Sequence, residues 1–212
     1  MRNFKKFAAV AALALTAGLL SGCADLFGGA DEHDEALVGQ WLWTEGGHSW
    51  FYWFDADGTG RRGDAEMQEF TWSTRGNDRL TLDFGRGIQN QTWSYSISGD
   101  RLEKEMGGEA GGDWTYFRVG HDAGVVGTWT WLGEQAAEAE FHYIFNADGS
   151  GEAGFLADGL FEIEWFTAGP NLVVSMSGQP GADLWSFEIV DDVLTIISRQ
   201  VAGVQHSYAR LN

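Results

Sequence analysis

The sequence predicts an all-β fold: two tandem antiparallel up-and-down barrels of about eight strands each, behind an N-terminal signal helix. Three observations predict it. Nearly everything after residue 36 is written twice, at an offset close to 90 residues. Within each copy the large apolar residues fall two apart, the period of a strand and not of a helix. Between them stand short clusters of glycine, aspartate and asparagine, the chemistry of tight turns.

The first element is the signal. Arg2, Lys5 and Lys6 precede an uncharged, apolar run over residues 7–20. As a helix that run rises roughly 21 Å, short of the ~30 Å hydrocarbon core, so it reads as a removed signal rather than a permanent span. Leu20-Ser21-Gly22-Cys23 resembles the lipobox of bacterial lipoproteins. The resemblance implies a signal peptide over 1–22 and a mature chain beginning at Cys23, fatty-acylated with groups such as palmitate and anchored in the membrane. The alternative is an ordinary secretory signal with an incidental cysteine. Cys23 is the only cysteine, so an intrachain disulfide is excluded. Ala24 is not the aspartate that holds enteric lipoproteins in the inner membrane. The expected location is the cell envelope: the outer membrane if the organism has one, otherwise the outer face of the cytoplasmic membrane.

Residues 23–36 follow as a lipidated tether, small, acidic and without periodicity. Loss of residues 1–22 leaves ten Lys and Arg against 31 acids, a net charge of −21, with Lys104 the one remaining lysine. Such a surface repels nucleic acid and anionic headgroups and favours solubility.

The two copies span 37–119 and 125–212, joined by Gly120-His121-Asp122-Ala123-Gly124. Gly39-Gln40-Trp41-Leu42-Trp43 matches Gly127-Thr128-Trp129-Thr130-Trp131, and Phe54-Asp55-Ala56-Asp57-Gly58-Thr59-Gly60 matches Phe145-Asn146-Ala147-Asp148-Gly149-Ser150-Gly151. Trp93-Ser94-Tyr95 matches Trp185-Ser186-Phe187, and Tyr116-Phe117-Arg118 matches Tyr208-Ala209-Arg210. Strand alternation runs through Trp41/Trp43, Trp50/Tyr52/Phe54, Phe70/Trp72, Leu80/Leu82, Trp93/Tyr95/Ile97 and Trp114/Tyr116. Eight short strands fit in the first copy. A meander of that size removes its edges by closing into a barrel.

Gly-x-Trp at the start of the first strand, with an arginine in the last, is similar to the signature of lipocalins and their calycin relatives. The Phe-Asx-Ala-Asp-Gly-Thr/Ser-Gly hairpin resembles that of small lipocalin-like domains in bacterial lipoproteins. The resemblance implies that Arg118 packs over Trp41 and Arg210 over Trp129, near the closed end of each barrel. It also implies a binding role, for a small hydrophobic ligand. Each copy is well below the length of a typical lipocalin.

Size limits what such a barrel holds. Eight strands leave room for side chains or one small ligand, so the aromatics read first as core and second as a pocket lining. In the second strand Phe51 and Trp53 face away from Trp50, Tyr52 and Phe54, making both faces aromatic. The outer pair needs cover from the other copy, a partner protein or the membrane surface, and it is the candidate ligand or partner surface. Asp55, Asp57, Thr59 and Glu66 approximate the spacing of a calcium loop. The flanks are strands and the second copy lacks the glutamate, so the frame reads as a hairpin and no metal or cofactor is expected. His33, His48, His121, His142 and His206 are scattered singletons. No catalytic residue emerges: there is no nucleophile elbow, zinc helix or phosphate loop. Two readings remain, a non-enzymatic binding module and an interaction module with filled barrels facing an envelope protein.

Overall fold

The computed structural model describes residues 32–45, 48–64, 66–76, 78–106, 113–133 and 140–211. The expected signal helix, Cys23 and the tether up to residue 31 lie outside the described residues.

The period-two pattern folds as strands. In the first half these are β1 (Gly39–Glu45), β2 (His48–Phe54), β3 (Thr59–Gly63), β4 (Met67–Arg75), β5 (Arg79–Asp83), β6 (Gln91–Ser98), β7 (Arg101–Met106) and β8 (Asp113–Gly120). Each pairs antiparallel with the next, and β1 returns to β8, Trp41 opposite Arg118 and Leu42 opposite Phe117. These eight strands form a closed antiparallel barrel. The second half contributes β9 (Gly127–Trp131), β10 (Phe141–Phe145), β11 (Ser150–Phe155), β12 (Phe161–Ala168), β13 (Asn171–Met176), β14 (Asp183–Val190), β15 (Val193–Ser198) and β16 (Gln205–Leu211). They also pair in sequence, with β16 on β9 and β12 on β13, so hydrogen bonding runs in a ring through them. Val119 and Gly120 of β8 pair with Ala168 and Thr167 of β12, tying the two sets together.

Alternation sends one face of each strand into a core. Trp41, Tyr52, Phe54, Phe70, Trp72 and Leu80 are buried together in the first half. Trp129, Tyr143, Phe145, Ile163, Trp165 and Leu172 repeat the arrangement in the second. Full burial of one such side chain is worth about 1.5–3 kcal/mol. A third cluster forms the seam between the halves: Leu42, Ala168, Val173 and Leu184 are buried, with Phe51, Phe117 and Phe166 packed against them.

A short segment caps each core at the start of the first strand. Glu35–Leu37 forms a 3-10 helix whose N-cap, Asp34, accepts from the Ala36 amide, and it buries Leu37. The Trp41 indole donates to the Leu37 carbonyl at 2.8 Å. Arg118 lies over the Trp41 ring at 4.2 Å and donates to the carbonyls of Val38 and Ala36. The second half repeats every contact. Trp129 donates to Val125, and Arg210 lies 4.1 Å from the Trp129 ring and donates to Val126 and Gly124. The glycine of Gly-x-Trp is needed here. Gly39 has φ +127°, and a Cβ on it would sit 2.9 Å from an Arg118 nitrogen; Gly127 is the same against Arg210.

Residues 32–36, expected within the flexible tether, are instead packed on the barrel. Glu32 exchanges backbone hydrogen bonds with Thr74, the His33 ring lies 4.7 Å from that of Trp72, and Asp34 accepts from the Tyr95 hydroxyl. The repeat therefore begins at His33-Asp34, matched by His121-Asp122 in the linker. His121 sits 5.2 Å from Trp165, as His33 sits on Trp72.

Replacing Arg118 with alanine removes two charge-assisted bonds to the cap and the cation over the indole. We expect a loss of about 2–4 kcal/mol in urea unfolding, with Arg118→Lys recovering only part of it. A loss below the error of the measurement would mean the cap is held by apolar packing alone.

Candidate functional site

The two interiors differ at the positions farther from the cap. On β7, Leu102 and Lys104 both face inward, opposite Tyr116 and Trp114 of β8. Lys104 is only 1 % exposed. Its Nζ lies 3.7 Å from the Tyr52 ring centroid, 4.3 Å from that of Trp93 and 4.9 Å from that of Tyr116. Among the described residues it has no hydrogen-bond partner. Burial, with the nearby Arg62 cation adding to it, holds the amine well below its usual range.

Arg62 projects from β3 into the same region. Its guanidinium donates to the Tyr52 hydroxyl at 3.1 Å and the Gln91 amide oxygen at 2.8 Å, and twice to Gln68. Its carbon stands 4.1 Å from the Phe84 ring centroid. These three acceptors are neutral. Neither Arg62 nor Lys104 forms an ion pair among the described residues. Burial raises the pKa of Tyr52, which Arg62 partly offsets, and burial raises that of Tyr116. Trp43, Trp50 and Trp114 are partly buried and pack on this core.

In the second half the register puts Ala153 in place of Arg62 and Ile196 in place of Lys104; Ala153 and Ile196 are buried in an apolar core. Tyr143 and Tyr208 keep the places of Tyr52 and Tyr116, and burial pushes Tyr143 up to about 12. An unpartnered buried indole nitrogen occurs in both halves, at Trp93 and Trp185. The buried amine is particular to the first.

Beside this region the β4–β5 ladder ends at Thr71 opposite Asp83, and the strands part. A cleft of about 540 Å³ lies there, with Phe70 and Phe84 among its walls and Asp55, Arg61, Glu69 and Asp83 also lining it. Phe84 is thus shared between the cleft and Arg62.

The other residues singled out by sequence fall elsewhere. Phe51 lies in the seam, 6.0 Å from Phe166, so the second half covers it. Trp53 stacks on Phe51 at 5.1 Å with the Arg61 cation 5.1 Å above its ring. Asp57 serves the hairpin: it accepts from the Thr59 hydroxyl and amide, which lower its pKa, and Asp148 does the same with Ser150. The Trp72 indole closes that hairpin by donating to the carbonyls of Asp55 and Thr59. Among the described residues no three His, Cys, Asp or Glu side chains gather as metal ligands. The histidines stay apart; His206 lies between Trp131 and Trp185 inside the second half.

The chain matches no protein-family model, no curated protein and no solved structure.

Sequence reasoning missed Lys104 and Arg62. The available signal was a difference between the copies: Leu102-x-Lys104 against Leu194-x-Ile196, and Gly60-x-Arg62 against Gly151-x-Ala153.

An amine enclosed by rings without a partner destabilises the fold that holds it. Lys104→Met is expected to be about 1–3 kcal/mol more stable than wild type at pH 7. The folded state holds the amine's pKa below the unfolded value of ~10.4, so between the two the unfolded chain binds the extra proton. Wild-type stability should therefore rise from pH 7 to 9 relative to Lys104→Met, narrowing the gap. Urea unfolding at both pH values checks this; a less stable variant, or a gap that does not change with pH, contradicts it.

Proposed function

We propose that the protein is an exported lipoprotein, anchored through acylated Cys23, whose two tandem lipocalin-like barrels act as a non-enzymatic binding module. The first barrel takes a small apolar ligand in the half of its interior farther from the cap. The second is a filled barrel that supports it across the seam.

One observation carries this reading. The two interiors are copies of one plan, yet the first holds Lys104 without a partner where the second holds Ile196. A buried polar group without a partner costs free energy, so its presence points to something that completes it. The second barrel lacks both cations, so closing a barrel of this kind does not require them. The aromatic surroundings of Lys104 suit an apolar guest. The tether and anchor would hold the module at the envelope, on the outer membrane if there is one and otherwise on the outer face of the cytoplasmic membrane.

A second reading has its own support. Phe155, Leu156 and Phe161, around the turn between β11 and β12, are exposed, Phe161 by 62 %. A patch of that kind suits an envelope protein partner, with both barrels filled.

Native mass spectrometry of residues 24–212, after mixing with a lipid extract of the host membrane, separates the two. The binding module predicts a retained small-molecule mass that Lys104→Met reduces. A bare mass on folded protein contradicts it and favours the interaction module.

A further inference from the structure

We propose that the cleft where β4 and β5 part receives an extended segment of a basic protein, which adds a strand to the free edge of β4. The site lies in the wall of the first barrel and does not depend on a guest around Lys104.

A single turn opens the edge. In the second half the β12–β13 ladder runs past Glu164 opposite Ser175 to Ile163 opposite Met176, and the Ser177 amide donates to the Glu162 carbonyl. The matching pair in the first half is Thr71 opposite Asp83, and there the ladder stops. Gly85 stands where Ser177 stands in the repeat. It turns away with φ +80°, a left-handed angle that glycine adopts freely, and its amide donates instead to the Asp83 carboxylate at 2.8 Å. Glu69, the counterpart of Glu162, loses that donor, and among the described residues no turn or loop backbone replaces it. Met67 to Phe70 of β4 are therefore unpaired on this side. An unpaired edge is a template for another strand, and here a cleft of about 540 Å³ lies beside it.

Charge chooses the occupant. Asp55, Glu69 and Asp83 line the cleft against one cation, Arg61, which stands opposite Glu69 and lies 5.1 Å from the Trp53 ring centroid. Among the described residues none of the three carboxylates forms an ion pair. A chain of net charge −18 repels a second copy of itself, and its own residues 24–31 hold Asp25 and Asp31 and no Lys or Arg. Anionic headgroups are repelled as well. An added strand sends alternate side chains to opposite faces. The row that meets Phe70 and Phe84 is apolar, and the row beside Glu69 and Asp83 is basic. Backbone bonds hold such a segment and its alternate side chains select it.

The test uses residues 24–212 and the probe acetyl-Lys-Val-Lys-Val-Lys-amide, read by amide nuclear magnetic resonance shifts at pH 7.5. The proposal expects shifts centred on Glu69, Phe70 and Phe84, and affinity about tenfold above that of the peptide with glutamate for lysine. Glu69→Gln with Asp83→Asn should weaken binding about fivefold; asparagine keeps the acceptor that Gly85 uses. Glu152→Gln with Glu162→Gln, the same charge change at exposed positions of the second half, should leave it unchanged. Backbone N-methylation of the valines and of the lysines, in separate peptides, should differ: one form loses about fivefold and the other binds, because only alternate amides face β4. Two forms that behave alike overturn strand addition. Equal affinity for 1,5-diaminopentane overturns the peptide assignment in favour of a small amine. Absence of binding, or an equal loss from the second-half variant, overturns the site.

Discussion

The inside of an eight-stranded ring is narrow and dry, and most of this structure follows from that. Strands of five to nine residues enclose a space that large side chains nearly fill. The chain fills it with aromatics, and their polar edges then need partners that do not bring water in. Trp41 and Trp129 find backbone carbonyls in the capping segment. Trp72 and Trp165 find the carbonyls of the first long hairpin. The capping segment is held in turn by Arg118 or Arg210, which satisfies its carbonyls and covers the indole in one stroke. The ring, the cap and the hairpin are thus one connected unit in the first half, and the second half repeats the cap and hairpin contacts.

Much of this was legible in the sequence because strand alternation and turn glycines are local signals. The eight strands of the first half and their inward aromatics follow from spacing and the repeat, whereas the place of Arg118 against Trp41 is what the resemblance to lipocalins and their calycin relatives implies. The start of the repeat was not legible. Composition reads Glu32 to Ala36 as tether because the segment is short and acidic. What pins it is contact with Thr74, Trp72 and Tyr95, roughly forty to sixty residues away. The same holds for His121, which composition places in a linker and packing places on Trp165.

The candidate site was hidden for a different reason. A lysine at an inward position breaks the alternation rule instead of obeying it, so Arg101-Leu102-Glu103-Lys104-Glu105 reads as a solvated charged strand. Only comparison with Val193-Leu194-Thr195-Ile196 shows that Lys104 takes a core position. A repeat is informative in this way. What the copies share maintains the fold, and where they differ the fold has stopped dictating the residue. Here one of the differences sets two basic side chains around one tyrosine, whereas the seam takes up the outer aromatic face at Phe51.

The account turns on the Lys104 amine being enclosed and unpaired, and the chain offers a clean way to see it. Beyond residue 6 Lys104 is the only lysine, so lysine labelled at Nζ and Cε gives a single nuclear magnetic resonance signal from the mature protein. Following that signal with pH reads the amine directly. The account predicts a neutral amine at about pH 9, where a free lysine of pKa ~10.4 is still charged. A signal that titrates like free lysine would place the amine in water and contradict the enclosed site.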